Sequence, residues 1–207
     1  MRKCLLATLV AVMLIPGLGQ AQKAGSLILG MDIGLSSPIG DFSSNDSLMA
    51  KSGFGLGAEL RYTLFRDFSF GPFLRYNRFS SDRIDERGHV SHNFTQYGGL
   101  AKLNLLNVQN GKFYICGGGG IFTPNTHYWA IDNNINVTYK QGMFFMGGIG
   151  LSSDPKSSVI YNLEIRYNTG NADVSDATNT PNYKYDFISF SMKIEFNSKG
   201  MVPPTRY

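Results

Sequence analysis

Apolar residues recur at every second position through most of the chain, in eight separate segments. Leu27, Leu29, Met31, Ile33 and Leu35 share one face of the first, and Phe54, Leu56, Ala58, Leu60, Tyr62 and Leu64 one face of the second. The third carries Phe70, Pro72, Leu74 and Tyr76, the fourth Tyr97, Gly99, Ala101, Leu103 and Leu105. The fifth (Phe113, Ile115, Ile121) and sixth (Met143, Phe145, Ile149, Leu151) are interrupted by glycine. The seventh offers Val159, Tyr161, Leu163, Ile165 and Tyr167, and the eighth Ile188, Phe190, Met192, Ile194 and Phe196. A period of two is the signature of a β-strand with unlike faces. Each segment is near the roughly 9–11 residues that a tilted strand needs to cross a bilayer.

The connections alternate in length. Those around Phe65–Asp67, Val108–Gly111 and Ser153–Ser157 are short, whereas Ser37–Lys51, Ser80–Asn93, Pro124–Thr138 and Thr169–Lys184 are long and polar. The pattern predicts an all-β fold: an eight-stranded antiparallel up-and-down transmembrane β-barrel, with short periplasmic turns and long extracellular loops. Periodicity alone leaves open which face points outward. The polar set decides it, because it is rich in small residues: Gly53, Gly55, Gly57, Gly98, Gly118, Gly120, Gly142, Gly148 and Gly150. These suit the narrow interior of an eight-stranded barrel. The charged members of that set carry both signs, Asp32, Glu59, Glu164 and Glu195 against Arg61, Arg75, Lys102, Arg166 and Lys193. On the lipid face a mid-membrane Arg or Lys would cost about 2–4 kcal/mol, whereas inside they can pair. The nine are predicted to form a lumen charge network that packs the barrel, a gated ion path being the alternative. Aromatics at the ends of the apolar face predict two interfacial girdles: Phe54, Tyr76, Tyr97 and Tyr167 toward the loops, Tyr62, Phe70, Phe113 and Phe196 toward the turns.

The N-terminus predicts export. Arg2 and Lys3 precede an apolar run from Leu5 to Ile15; Pro16-Gly17 then break it, and Gly19 and Ala21 occupy the −3 and −1 positions of a cleavage site. Residues 1–21 read as a signal peptide, 22–196 as the barrel and 197–207 as a short C-terminal tail. Cys4 leaves with the peptide, so Cys116 remains as a single thiol and no internal disulfide is expected. Of 19 basic residues two leave as well, so 17 stand against 15 acidic ones and no basic run argues for nucleic acid. Only 16% of residues are charged, against about 25% in soluble domains. This favours the membrane reading and a place in the bacterial outer membrane.

The opening segment Gly30-Met-Asp-Ile-Gly-Leu-Ser-Ser-Pro-Ile-Gly-Asp-Phe42 and the closing strand ending at Phe196 resemble the small outer-membrane β-barrel family, the OmpA/OmpX-like and PorT-like proteins. The resemblance covers the mature chain as a pattern. It departs at the end: the family's assembly signal usually closes the protein, whereas here Asn197–Tyr207 follows, with Pro203-Pro204.

Catalytic and metal chemistry leave few traces. The three histidines, His89, His92 and His127, fall in the long loops, and Glu86, Ser91 and His92 make one imaginable nucleophile set. A solvated polar loop explains them as well, and no catalytic residue is assigned. Asp132-Asn133-Asn134 and the Asp173/Asp176 pair are ordinary turn chemistry, so neither metal nor cofactor is expected. The loop Pro124–Thr138 displays Tyr128, Trp129 and Ile131 among polar residues, which are candidates for an interaction surface. The expected role is structural or interactive, through the extracellular loops of a monomer embedded in outer-membrane lipid. Its partner would be an extracellular or secretion-system protein. The alternatives are a lipid-modifying hydrolase or acyltransferase and, from the PorT-like resemblance, an accessory of a secretion machine.

Overall fold

The computed structural model describes residues 25–45, 48–65, 67–85, 88–108, 111–129, 134–153, 158–173 and 182–198, with the side chains of 82–85, 88–89, 128–129, 134–138 and 182 set aside. The predicted signal peptide and all of the tail beyond Ser198 lie outside these residues. The strands are β1 (Leu27–Ile39), β2 (Ala50–Phe65), β3 (Phe68–Asp85), β4 (Gly88–Val108), β5 (Gly111–Trp129), β6 (Asn134–Thr138), β7 (Gly142–Ser153), β8 (Val159–Asp173) and β9 (Asn182–Asn197). One short helix, α1 (Asp41–Ser44), lies between β1 and β2.

Every described pairing is antiparallel. The order runs β4-β3-β2-β1-β9-β8-β7-β5, and β4 pairs again with β5, which closes eight strands into a barrel. Closure is what a membrane requires, since an open edge would leave backbone N–H and C=O groups without partners in hydrocarbon. The ninth strand, β6, stands outside the ring and, among the described residues, pairs only with the far end of β5, from Asn125↔Thr138 to Trp129↔Asn134.

The apolar set faces outward. Leu35 is 70% exposed and Met143 66%, in a continuous belt of Leu, Ile, Met and aromatic side chains around the barrel. On β2 the belt runs from Phe54 to Leu64, which at about 3.3 Å per residue and a tilt of about 40° spans roughly 25 Å. A surface of this kind is stable only in a bilayer, because in water so large a patch would drive association. Tyr76, Tyr97 and Tyr167 edge the belt at the loop end, and Tyr62, Phe65 and Phe70 at the turn end.

Two of the four long polar segments, Ser80–Asn93 and Pro124–Thr138, are strand throughout their described residues, which corrects the expectation of loops there. β3 runs on to Asp85 and β4 begins at Gly88, so Ser80–Asn93 is a β-hairpin. Pro124–Trp129 completes β5, and Asn134–Thr138 is β6. Beyond the girdle the outward residues turn polar (Arg78 and Ser80 on β3, Asn93 and Thr95 on β4), so the contrast between faces that revealed the strands fades although their hydrogen bonds continue. The ladder, not the pattern, sets the strand's end.

Candidate functional site

All nine predicted lumen residues point inward and are at most 8% exposed. Seven are joined in one chain of ion pairs. Lys102 Nζ lies 3.1 Å from Glu195 Oε1, Arg61 Nη2 2.6 Å from the same oxygen, and Arg61 Nε 2.7 Å from Glu59 Oε1. Lys193 Nζ then bridges Glu59 Oε2 at 2.8 Å and Glu164 Oε2 at 3.4 Å, and Glu164 pairs with Arg166. Asp32 and Arg75 form a separate pair. Neutral groups complete the shell: Tyr114 donates to Glu164 at 2.9 Å, Lys102 to Asn162 at 2.8 Å, and Lys102 Nζ stands 3.9 Å above the Tyr114 ring. Buried charges persist when each has a partner of this kind.

Glycines make the room. In register, Gly30 stands between Glu59 on β2 and Glu195 on β9, and a Cβ there would lie 2.8 Å from Glu59 Cγ. A Cβ on Gly57 would lie 2.5 Å from Asp32 Oδ2, and one on Gly150 2.4 Å from the Tyr114 hydroxyl. Small and large residues therefore alternate across neighbouring strands, as the taper of a narrow barrel demands.

The loop half of the lumen is filled differently, by an aromatic layer that sequence reasoning missed. Phe73, Phe79, Phe94, Phe122, Phe144, Tyr185 and Phe187 are buried there. Phe79 and Phe187 lie 5.1 Å apart, Phe94 and Tyr185 5.0 Å, both edge to face, the arrangement ring quadrupoles favour. The signal was available, since the same alternation that turns Leu74 and Tyr76 outward turns Phe73 and Phe79 inward.

Phe42 closes this layer from above. Gly40 takes a positive φ of 57°, reversing the chain so that α1 dips into the barrel mouth. Ser43 and Ser44 hydroxyls donate to the Gly40 carbonyl at 2.9 and 3.0 Å. Phe42 is thereby fully buried, 5.0 Å from Phe79, 5.3 Å from Tyr185 and 5.8 Å from the His92 ring. Charge layer, aromatic layer and α1 thus succeed one another along the lumen toward its mouth.

His92 belongs to the closure. It is a β4 residue, 1% exposed, rather than a loop residue. Its Nε2 donates to the Leu48 carbonyl at 2.7 Å, and Nδ1 lies 2.9 Å from Thr126 Oγ1. Ser91, its chain neighbour, projects to the opposite face of the strand, and Glu86 lies outside the described residues. The imagined nucleophile set is thus not brought together among the described residues.

Tyr128 and Trp129 end β5 rather than occupying a loop. They pair with Val90 and His89 of β4 and with Ile135 and Asn134 of β6. Their side chains, and Ile131 altogether, lie outside the described residues. At the same end Lys184 donates to Asp186 at 2.8 Å, which raises the pKa of its exposed ammonium above the ordinary value.

No protein-family model and no curated protein matches the chain. Solved structures do. Neisserial surface protein A superposes with a TM-score of 0.55 at 12% identity, over 83% of this chain and 98% of that one. Ail, the attachment invasion locus protein of Yersinia pestis, in complex with the heparin analogue sucrose octasulfate, gives a TM-score of 0.50 at 12% identity, over 84% and 99%. The N-terminal β-barrel domain of Pseudomonas aeruginosa OprF gives 0.48 at 14%, over 85% and 99%. The fold is that of the small outer-membrane β-barrels.

Proposed function

We propose that this chain is an outer-membrane protein that serves as a rigid mount, holding a binding surface for a protein partner outside the cell. The observation that carries the reading is that at the loop end the strands continue past the bilayer belt with polar outward residues such as Arg78 and Ser80. There β3 and β4 continue as a hairpin to the Asp85↔Gly88 pair, and β5 continues to Trp129 under the cover of β6. At the other end β2 and β3 are joined across Phe65↔Phe68 at the belt's edge, and the β4–β5 hairpin, which runs on to Val108↔Gly111, keeps apolar residues exposed at Leu106 and Val108. Charged and aromatic side chains occupy the lumen, which supports placing the function on the raised β3–β6 sheet rather than in conduction. Ail, whose structure holds a heparin analogue, supports the reading as a barrel of this fold in a ligand complex.

The secretion-accessory alternative differs only in the partner's identity, whereas the enzyme alternative requires a free base, and His92 is held by Leu48 and Thr126. The test is capture of partners by the tagged protein from native membranes and cell surfaces. The double substitution Tyr128→Ser, Trp129→Ser should abolish capture while the protein still migrates as a folded barrel. Phospholipid hydrolysis lost on His92→Ala, with capture unaffected by the aromatic change, would replace this reading with the enzyme.

A further inference from the structure

We propose that the outward face of β2, β3 and β4, just beyond the loop-end girdle, binds a phosphate group, of the kind an anionic lipid carries in its headgroup. The register between β2 and β3 slips between Ala50 and Gly53. The slip opens a cavity of about 300 Å³ lined by Ser52, Gly53, Phe54, Arg78, Ser80 and Ser91, among others. Among the described residues that line it there is no carboxylate. The Arg78 guanidinium and the Ser91 hydroxyl are free to donate to an anion, whereas the Ser80 and Ser81 hydroxyls give their protons to the Ser52 and Leu48 carbonyls.

Two residues in the cavity await a partner. Arg78 is exposed and makes no ion pair among the described residues, although every one of the five lumen cations does. Ser91 is 6% exposed, and its Oγ is buried without a hydrogen-bond partner. A buried hydroxyl normally has one, so an acceptor is missing from this wall. Ser80, opposite Ser91 in register, is oriented by donating to the Ser52 carbonyl at 3.3 Å. A tetrahedral oxyanion meets these needs together, since Arg donates in a planar fork that matches phosphate oxygens.

Position says where that phosphate comes from. Arg78 stands two residues beyond Tyr76, on the same face, with Phe54 beside it in register. Two residues along a tilted strand lift it about 5 Å above the girdle, from the depth where aromatic rings sit into that of lipid phosphates. Phe54 is 43% exposed and offers an apolar floor for the start of an acyl chain.

The test uses the full mature barrel in phosphatidylcholine nanodiscs doped with phosphatidylglycerol, with lipid retention read by native mass spectrometry. The wild type should retain phosphatidylglycerol in preference to phosphatidylcholine. Arg78→Gln should lower that preference about tenfold, the worth of one charge-assisted hydrogen bond, and Arg78→Lys less, because it keeps charge without the fork. Ser91→Ala should lower it about threefold, as expected for a neutral bond. Retained heat-modifiable migration certifies each fold; should Arg78→Gln fail it, Arg78→Lys and Ser91→Ala carry the comparison. Inorganic phosphate that binds in an Arg78-dependent way without any lipid preference would place the same site in solution chemistry rather than lipid chemistry. An unchanged preference in Arg78→Gln and Ser91→Ala, or no phosphate binding of either kind by the wild type, overturns the proposal.

Discussion

Replacing Glu195 by Gln removes one negative charge from the barrel interior and leaves the shape of the side chain intact. Glu195 is fully buried and its carboxylate is shared by Arg61 at 2.6 Å and Lys102 at 3.1 Å. In the variant five cations face three carboxylates, where four stood before. Arg61 keeps Glu59, but Lys102 keeps only Asn162 and the Tyr114 ring. At an effective dielectric of about 20 each lost attraction is worth about 4 kcal/mol, offset by several kcal/mol of desolvation that the neutral amide does not suffer. The net expectation is a loss of about 3–5 kcal/mol, the usual cost of leaving a buried charge unpaired. Urea unfolding in lipid vesicles, followed by the folded and unfolded bands on a gel, measures it. Adding Lys102→Met removes the orphaned cation, so the double variant should be more stable than Glu195→Gln alone by about 1–3 kcal/mol, a coupling normal for groups in contact. A loss below about 0.5 kcal/mol, the range of an ordinary surface change, would refute the reasoning. It would mean that water in the lumen solvates these groups.

The folded protein should resist SDS at room temperature and shift on boiling, because a closed ladder offers detergent no free edge; identical migration before and after heating would contradict closure. Gly150→Ala should destabilise by about 1–3 kcal/mol through overpacking, since its Cβ would collide with Tyr114 and push that hydroxyl off Glu164; Tyr114→Leu in the same chain should recover part of the unfolding midpoint. Phe42→Ala should cost about 3–5 kcal/mol, as for other buried Phe truncations, yet leave planar-bilayer conductance closed because the charge layer remains beneath. A conductance appearing in this variant alone would show that the aromatic layer is the seal.

Strand number, barrel parity and the membership of the charged interior were all legible in the sequence, for one reason. A barrel in lipid must present unlike faces to unlike surroundings, so each of Leu29, Met31 and Ile33 is answered by a polar or small neighbour, and Asp32 declares its side by its type. Where both sides are wet the contrast disappears, and that is where the reading stopped: Ser80–Asn93 and Pro124–Thr138 read as loops although they are hydrogen-bonded strands. The aromatic layer was written in the parity of Phe73, Phe79 and Phe94, but large apolar residues on the supposedly polar face have meaning only once the ring is closed. Which charges meet is a stronger case. Lys102 and Glu195 lie on strands that are not neighbours in the sheet, and only the curvature of the closed barrel brings them across the lumen. Phe42 reaches the core because one glycine backbone turns a polar loop inward. Alternation, a local property of the chain, determined the strands and their faces; contacts across the lumen depend on the circumference and stagger of the whole sheet, which no segment carries by itself.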